Sequence, residues 1–297
     1  MNAPINNVIF AGGGSRCLWQ VGFWDGANAA GLPLNDTVSY AASTSAGCAM
    51  ATACMLDRGR EALDLFKELT ARNPANIHWG NLKPGSGAPL LPHIRMYREA
   101  LEIFLTPEDM ARLADKRLEF LMAVFPRYLP SSLGALVAFT IYGLEKHITG
   151  VLHPTWTRKL GFTPLARGNQ EAEDVADFID IILSSSCVPP VLPSDGYRGQ
   201  RVLDGGIIDN VPAHLADGRD GRTLVLLSKK YRQPLPAPGT RIYAQPSEPI
   251  RIDKFDYANP QGLQETYDLG LEDGRRFAES ALRDEAQTHA ETAGAAR

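Results

Sequence analysis

Apolar positions along the chain alternate between short unbroken runs and longer stretches spaced three and four apart, a pattern that predicts strands feeding into helices. Asn7 to Phe10 reads as a short buried strand that runs into three glycines, after which Leu18, Val21, Phe23 and Trp24 mark a helix ending near Gly31. A second such unit comes next. Thr37 to Ala42 reads as a strand and the alanine-rich Ala46 to Leu56 as a helix, with Ser43-Thr44-Ser45 at the join. A charged helix is predicted after it, from Arg58 to Leu69.

Asn73 to Pro92 is rich in Gly, Pro and Asn and predicts an irregular surface loop. Pro107 to Leu113 reads as a short helix and Leu118 to Phe125 as a strand. Tyr128 to Gln170 has no clear period and holds His147, His153, Trp156, the pair Arg158-Lys159 and the apolar run Leu133 to Leu144, so an inserted cap or substrate-facing subregion is expected there. That run falls short of the roughly 20 residues that cross a bilayer, which favours a core helix over a membrane-surface segment. Asp174 to Ser185 predicts a helix, and a strand near Gln200 to Leu203 ends on Asp204-Gly205-Gly206. Thr223 to Leu227 and Arg241 to Ala244 read as further strands, and the polar stretch beyond Leu282 as a solvated helix or disordered tail. This alternation gives an α/β fold, with a mostly parallel central sheet and helices on both faces.

With 297 residues, 44% hydrophobic and 22% charged, the chain suffices for one large core. A net charge of -4 leaves no basic footprint for nucleic acid and no bulk attraction to an anionic membrane. Cys17, Cys48, Cys54 and Cys187 are scattered, without metal-site spacing or a dense disulfide pattern, so all four are expected reduced and buried, with no metal or other cofactor. The start, Met1 to Asn7, is polar and lacks the basic region and long apolar stretch of a secretory signal. The expected location is the cytoplasm, with transient contact at a membrane surface.

Three segments carry candidate chemistry. Ser45, in Ser43-Thr44-Ser45-Ala46-Gly47, sits between a strand and a helix and fits the nucleophile elbow G-x-S-x-G with Ser43 in place of the first glycine. A plain helix-capping serine is the alternative. Ala11-Gly12-Gly13-Gly14-Ser15-Arg16 lies at another strand-to-helix join, where backbone N–H groups suit a phosphate or a developing oxyanion. A dinucleotide fingerprint fails because its third glycine would fall at Cys17, and a Walker loop fails because no Gly-Lys-Ser/Thr comes after it. The third segment is Asp204-Gly205-Gly206-Ile207-Ile208-Asp209-Asn210-Val211-Pro212, after a strand; Asp-Gly alone is only a turn signal.

In this order and context the three segments resemble the patatin-like phospholipase family, and Ser184-Ser185-Ser186-Cys187-Val188-Pro189 with Pro193 resembles the family's approach to its aspartate. The resemblance implies a three-layer sandwich, with an acyl hydrolase domain over residues 5–280, a variable subregion at about 73–170 and a polar tail at 281–297. It implies cleavage of a lipid ester through an acyl-enzyme, with Ser45 as nucleophile, Asp204 as its base, and Gly12, Gly13, Gly14 and Ala46 as oxyanion hole. Arg16, Gly47, Gly205, Gly206 and Asn210 become substrate-binding or supporting residues, with Arg16 either bracing the glycine loop or meeting a phosphate head group. The lipid class and acyl length stay open. Two positions depart from the family pattern: Cys17 stands where glycine follows the arginine, and Ser43 opens the elbow.

Three other readings stand beside this one. An α/β-hydrolase triad would use Ser45, Asp204 and either His214 or His289, although that fold places its elbow after several strands and here it comes after the second. An inactive lipid-binding or regulatory protein would keep the fold without turnover. Phosphoryl transfer at the glycine loop lacks a magnesium-binding partner motif.

Overall fold

The structure is a computed structural model that describes residues 4–82, 89–126, 128, 159–193, 196–237 and 239–295, with side chains as far as 283. Strands β1 (Ile5–Phe10), β2 (Tyr40–Thr44), β3 (Arg117–Val124), β4 (Thr163–Arg167), β5 (Val202–Asp204), β6 (Arg222–Leu226) and β7 (Arg241–Ala244) form one seven-stranded sheet. Its order is β4-β3-β2-β1-β6-β7, and β5 also pairs with β3. All pairings are parallel except those of β4 and β5 with β3. Val8, Ile9 and Phe10 of β1 are completely buried, as a central strand covered on both faces requires.

Pairing along β3 fixes where its neighbours end. β2 pairs with it from Tyr40↔Arg117 to Thr44↔Leu121, and β5 continues from Asp204↔Met122 to Val202↔Val124. β4 occupies the opposite edge, pairing with Phe120 to Val124. β2 and β5 therefore share one edge of β3 and run toward each other, so the chain leaves both strands at the same place.

Helices α1 (Leu18–Ala29), α2 (Leu34–Thr37), α3 (Gly47–Met55), α4 (Gly59–Ala71), α5 (His93–Phe104), α6 (Pro107–Arg112), α7 (Val175–Ser185) and α8 (Pro260–Ala295) complete the described elements together with short 3-10 turns. The longer helices bury their apolar sides with Val8, Phe10, Ala41, Phe120 and Leu224 on one face of the sheet. The alternate positions Ile9, Ala42 and Val225 face the other side, where Val211, Ala213 and Ala216 in and before the 3-10 turn Ala213–Ala216 cover them. Helical segments thus lie on both faces, long on one and single turns on the other among the described residues. No described helix is long and apolar enough to cross a membrane.

Helices α1 and α8 pack backbone to backbone. A Cβ built at Gly22 would lie 2.0 Å from the carbonyl oxygen of Tyr267, and one at Gly274 would lie 2.0 Å from that of Phe23. Beside this seam Trp19 Nε1 donates to Asp273 Oδ2 at 2.8 Å, and the rings of Phe23 and Phe277 stand 5.2 Å apart.

Sequence pattern alone did not reveal α5, β4 or the length of α8, which runs through the expected tail to Ala295. β2 begins at Tyr40 rather than Thr37, because residues Leu34–Thr37 form a helical turn in which Thr37 Oγ1 donates to the Pro33 carbonyl at 3.0 Å. The expected loop from Asn73 contains a 3-10 turn at Trp79–Leu82. The apolar run Leu133 to Leu144, with His147, His153, Trp156 and Arg158, lies outside the described residues.

Replacing Gly274 by leucine is expected to destabilise the protein by at least about 1–3 kcal/mol, the usual effect of overpacking, because no room exists between the two backbones. Chemical denaturation reads this directly, and an unchanged midpoint would mean that the helices do not touch there.

Candidate active site

Ser45 has a φ of 57°, left-handed backbone that costs a side-chain-bearing residue roughly 1–2 kcal/mol and so must be held by its surroundings. Its N–H donates to Ser185 Oγ at 3.2 Å, and that hydroxyl donates to the Leu121 carbonyl at 2.6 Å. The Cys48 thiol donates to the same hydroxyl at 3.2 Å. Gly47 lets α3 approach β1 closely, since a Cβ there would lie 2.8 Å from the Phe10 carbonyl oxygen. Ser43 is fully buried in β2, and the buried Cys17 thiol donates to the Ala11 carbonyl at 3.4 Å.

The glycine loop is held from two sides. Gly14 has φ +60°, and a side chain there would run into the Lys254 carbonyl, 2.0 Å from the Cβ position. Ser15 N–H donates to that same carbonyl at 2.9 Å, Ser15 Oγ donates to Asp256 O at 3.1 Å, and Arg16 Nε donates to Ile252 O at 2.9 Å. On the other side Gly12 N–H donates to Asn210 O at 3.0 Å. The Gly12 carbonyl accepts from Asn210 Nδ2 at 2.9 Å and from Ser228 Oγ at 2.6 Å. In a trans peptide the next N–H points opposite to the carbonyl, so these two donors aim the Gly13 N–H away from themselves. Among the described residues the N–H groups of Gly13, Gly14 and Ala46 donate no hydrogen bond.

Asp204 closes the arrangement. Its N–H donates to Cys187 O at 2.8 Å, and its Oδ1 accepts from Gly206 N–H at 2.7 Å, capping the 3-10 turn Gly205–Ile207. Gly13, Gly14, Ser45, Asp204, Gly206 and Asn210 line one cavity of about 170 Å³, completed by Val188, Ile207, Lys254 and Phe255. Of the other residues expected from sequence, Gly12 lies behind the lining, with its Cβ position 3.0 Å from Ser45 Cβ, and Gly47 and Gly205 serve as close-packing positions. Arg16 braces the loop through Ile252 and does not line the cavity. Ala46 heads α3 and lines a second, adjoining cavity, to which Gly14 also contributes.

Sequence reading assigned no role to Ser185, Ser228 or Lys254. Ser185 lies in the serine run before Pro189, and Ser228 comes just after the end of a parallel strand, where site residues tend to gather; Lys254 has no local signal. The Lys229 ammonium has its pKa lowered, first by burial and then by the charges of Lys254 and Arg16. His214 Nδ1 lies 3.2 Å from Asp209 Oδ2, and no described histidine lines the cavity; the His289 side chain is outside the described residues. No group of three or more His, Cys, Asp or Glu able to hold a metal occurs among the described residues.

A parallel α/β sheet that brings a serine elbow, a glycine loop and an aspartate to one cavity defines a class of hydrolase-like sites. The sequence model of the family described as patatin-like phospholipase matches residues 8–217, which is 210 of 297 residues, and the chain belongs to that family. At the family level this makes it a lipid hydrolase. No curated protein matches the chain. Among solved structures, VipD from Legionella pneumophila aligns with 93% of this chain and 67% of its own, at 11% identity and a TM-score of 0.42.

All four cysteines are buried thiols. Burial pushes the Cys48 thiol up to about 12 and raises those of Cys17 and Cys54 as well. A thiol with a raised pKa stays protonated and unreactive below it. At pH 8 the native protein is expected to react with no more than a trace of a chromogenic disulfide reagent, and the unfolded chain with four equivalents. Rapid reaction of a native thiol would show that the wall beneath Ser45 opens.

Proposed function

We propose that the protein hydrolyses carboxylic esters of lipids, with Ser45 as nucleophile and Asp204 as general base. The observation that carries this reading is the convergence on one cavity of Ser45 on its left-handed turn, Asp204 at the end of the opposing strand, and the Gly13 and Gly14 backbone. The serine hydroxyl gives its proton to Asp204 as Oγ attacks the ester carbonyl. The carbonyl oxygen becomes an oxyanion and takes hydrogen bonds from Gly13, Gly14 and Ala46, which lack internal partners among the described residues. Collapse expels the alcohol, which takes the proton back, and leaves an acyl-Ser45. Asp204 then deprotonates a water that splits this ester and releases the acid.

A carboxylate with an ordinary pKa of about 3.9 is a weak base for a serine, so orientation and oxyanion stabilisation must provide most of the rate. This accords with the support given to the loop, where Asn210 and Ser228 both act on one carbonyl. Lys254, which lines the cavity, favours an anionic head group on the leaving alcohol, as in a phospholipid.

Labelling with a fluorophosphonate and peptide mapping is expected to find Ser45 modified. Asp204→Asn, if folded, should lower turnover about 10⁴-fold, the scale on which catalytic units fail when one member is lost. His214→Ala should keep most of the activity, and chelators should not reduce it. Modification at another serine, or a folded Asp204→Asn protein with near-native turnover, removes the dyad; a large loss in His214→Ala restores the triad.

A further inference from the structure

A second cavity begins where the catalytic one ends. Gly14 lines both, and Ala46, next to the nucleophile, opens the second. It tracks α3 from Ala46 past Ala49 and Met50 to Thr52, between α4 on one side and α5 on the other. Its walls are almost wholly apolar, and its free volume is about 60 Å³, on a scale where one water needs about 10–15 Å³. A cavity of this kind stays dry and takes hydrocarbon, and its size suits a single slender chain.

Its two ends can be assigned. Tyr97 of α5 lies at the serine end, one turn after His93, whose Nε2 stands 2.8 Å from the carbonyl oxygen of Phe255 in the catalytic cavity. Phe104 and Leu105 lie at the other end, beyond the last turn of α3. Phe104 is fixed in place there. The Arg58 guanidinium carbon stands 4.3 Å from its ring centroid, Arg58 Nη1 donates to the Phe104 carbonyl at 3.0 Å, and Arg58 is itself held by Asp109 at 2.6 Å and by Glu61.

We propose that this cavity holds the acyl chain and that Phe104 is the stop that selects acyl groups of medium length. This deepens the reading of Ser45 as an ester hydrolase nucleophile and rests on it. From Ala46 to Thr52 along α3 is about 9 Å, and from Tyr97 to Leu105 along α5 about 12 Å, at roughly 1.5 Å per helical residue. An extended chain advances about 1.2 Å per bond, as the three backbone bonds of a residue span about 3.6 Å, and a free volume of about 60 Å³ takes about four to six water-sized groups, so the cavity fits an acyl group of about six carbons.

The test uses the full chain with saturated 4-nitrophenyl esters from acetate to hexadecanoate. The kcat/KM is expected to rise about fourfold per methylene as each is buried, to peak at about six carbons and to fall beyond. Phe104→Ala should move the peak to longer chains and raise the decanoyl-to-hexanoyl ratio about tenfold or more, the gain of two further buried methylenes. Ala62→Phe, which fills the cavity from α4, should move it to shorter ones. Ratios within one protein cancel any loss of folded material. In parallel, Ser45→Ala protein is heated with free fatty acids below their micelle concentrations, and hexanoate should raise Tm more than hexadecanoate, through binding alone. Ester cleavage with a peak that neither variant moves would overturn the assignment. No cleavage by the unmutated chain, with hexanoate binding that Ala62→Phe abolishes, would overturn the hydrolase reading and leave the cavity assignment standing; absence of both overturns both.

Discussion

The meeting of β2 and β5, end to end on one edge of β3, is the constraint on which the site depends. Parallel strands deliver their loops to one end of the sheet, and a strand running the other way can stop in line with one of them and deliver its own last residue to the same spot. β5 does this with three residues, and its last one is Asp204. The junction is tight: a Cβ on Gly205 would lie 2.0 Å from the Leu121 carbonyl oxygen and 2.5 Å from Thr44 Oγ1. Leu121 O also accepts the Ser185 hydroxyl that holds the Ser45 amide. One carbonyl of β3 thus sets the position of the serine on one side and of the aspartate turn on the other. Side chains placed by strand register keep their geometry far better than those carried on free loops.

The glycine loop depends on a second closed path. The loop begins at the end of β1 and passes into α1, and the segment Ile252 to Tyr257 that lies over it leads into α8. Because α1 and α8 touch backbone to backbone through Gly22, Gly26, Gly270 and Gly274, the loop and its cover are both fixed at their far ends. The N–H groups of Gly13 and Gly14 therefore owe their placement to a helix seam remote from the cavity. The unusual conformations at Ser45 and Gly14 are tolerated because each is fastened by neighbours belonging to other elements.

Local signals were legible in the sequence and distributed ones were not. The three segments bearing Ser45, Gly12 to Gly14 and Asp204 could be read because each is a turn whose residue types are dictated by its own backbone. The sheet was legible from buried runs such as Val8 to Phe10 and Thr223 to Leu227. β4 escaped notice because Pro164 and its exposed edge position weaken the strand pattern. α8 was hidden by Gly262, Gly270 and Gly274, residues that disfavour helix locally; α1 needs the space at Gly270 and Gly274, and the Asn259 side chain packs against Gly262. α5 has a helical stripe in Met96, Tyr97, Leu101 and Phe104, but it comes after a proline-rich loop without a capping residue. Ser185, Ser228 and Lys254 act on partners 140, 216 and 239 residues away, at Ser45, Gly12 and Ser15, so no window of sequence displays their roles.

The charge around the glycine loop differs from that of the chain as a whole. The chain carries -4, yet Arg16 ends the loop, Lys254 lines the cavity with Gly13 and Gly14, and the charges of both act on Lys229. Lys229 is partly buried and feels the other two, which is why its proton is held less firmly than usual. Like charges brought together in a partly dry place repel, and backbone donors left without partners lose the hydrogen bonds they would have in water. Both penalties are relieved by the same event, the arrival or growth of an anion in front of the loop. In the proposed reaction a neutral ester would bring little of this relief when it binds and much more once its carbonyl oxygen became an oxyanion, so such a site would favour the transition state over the bound substrate.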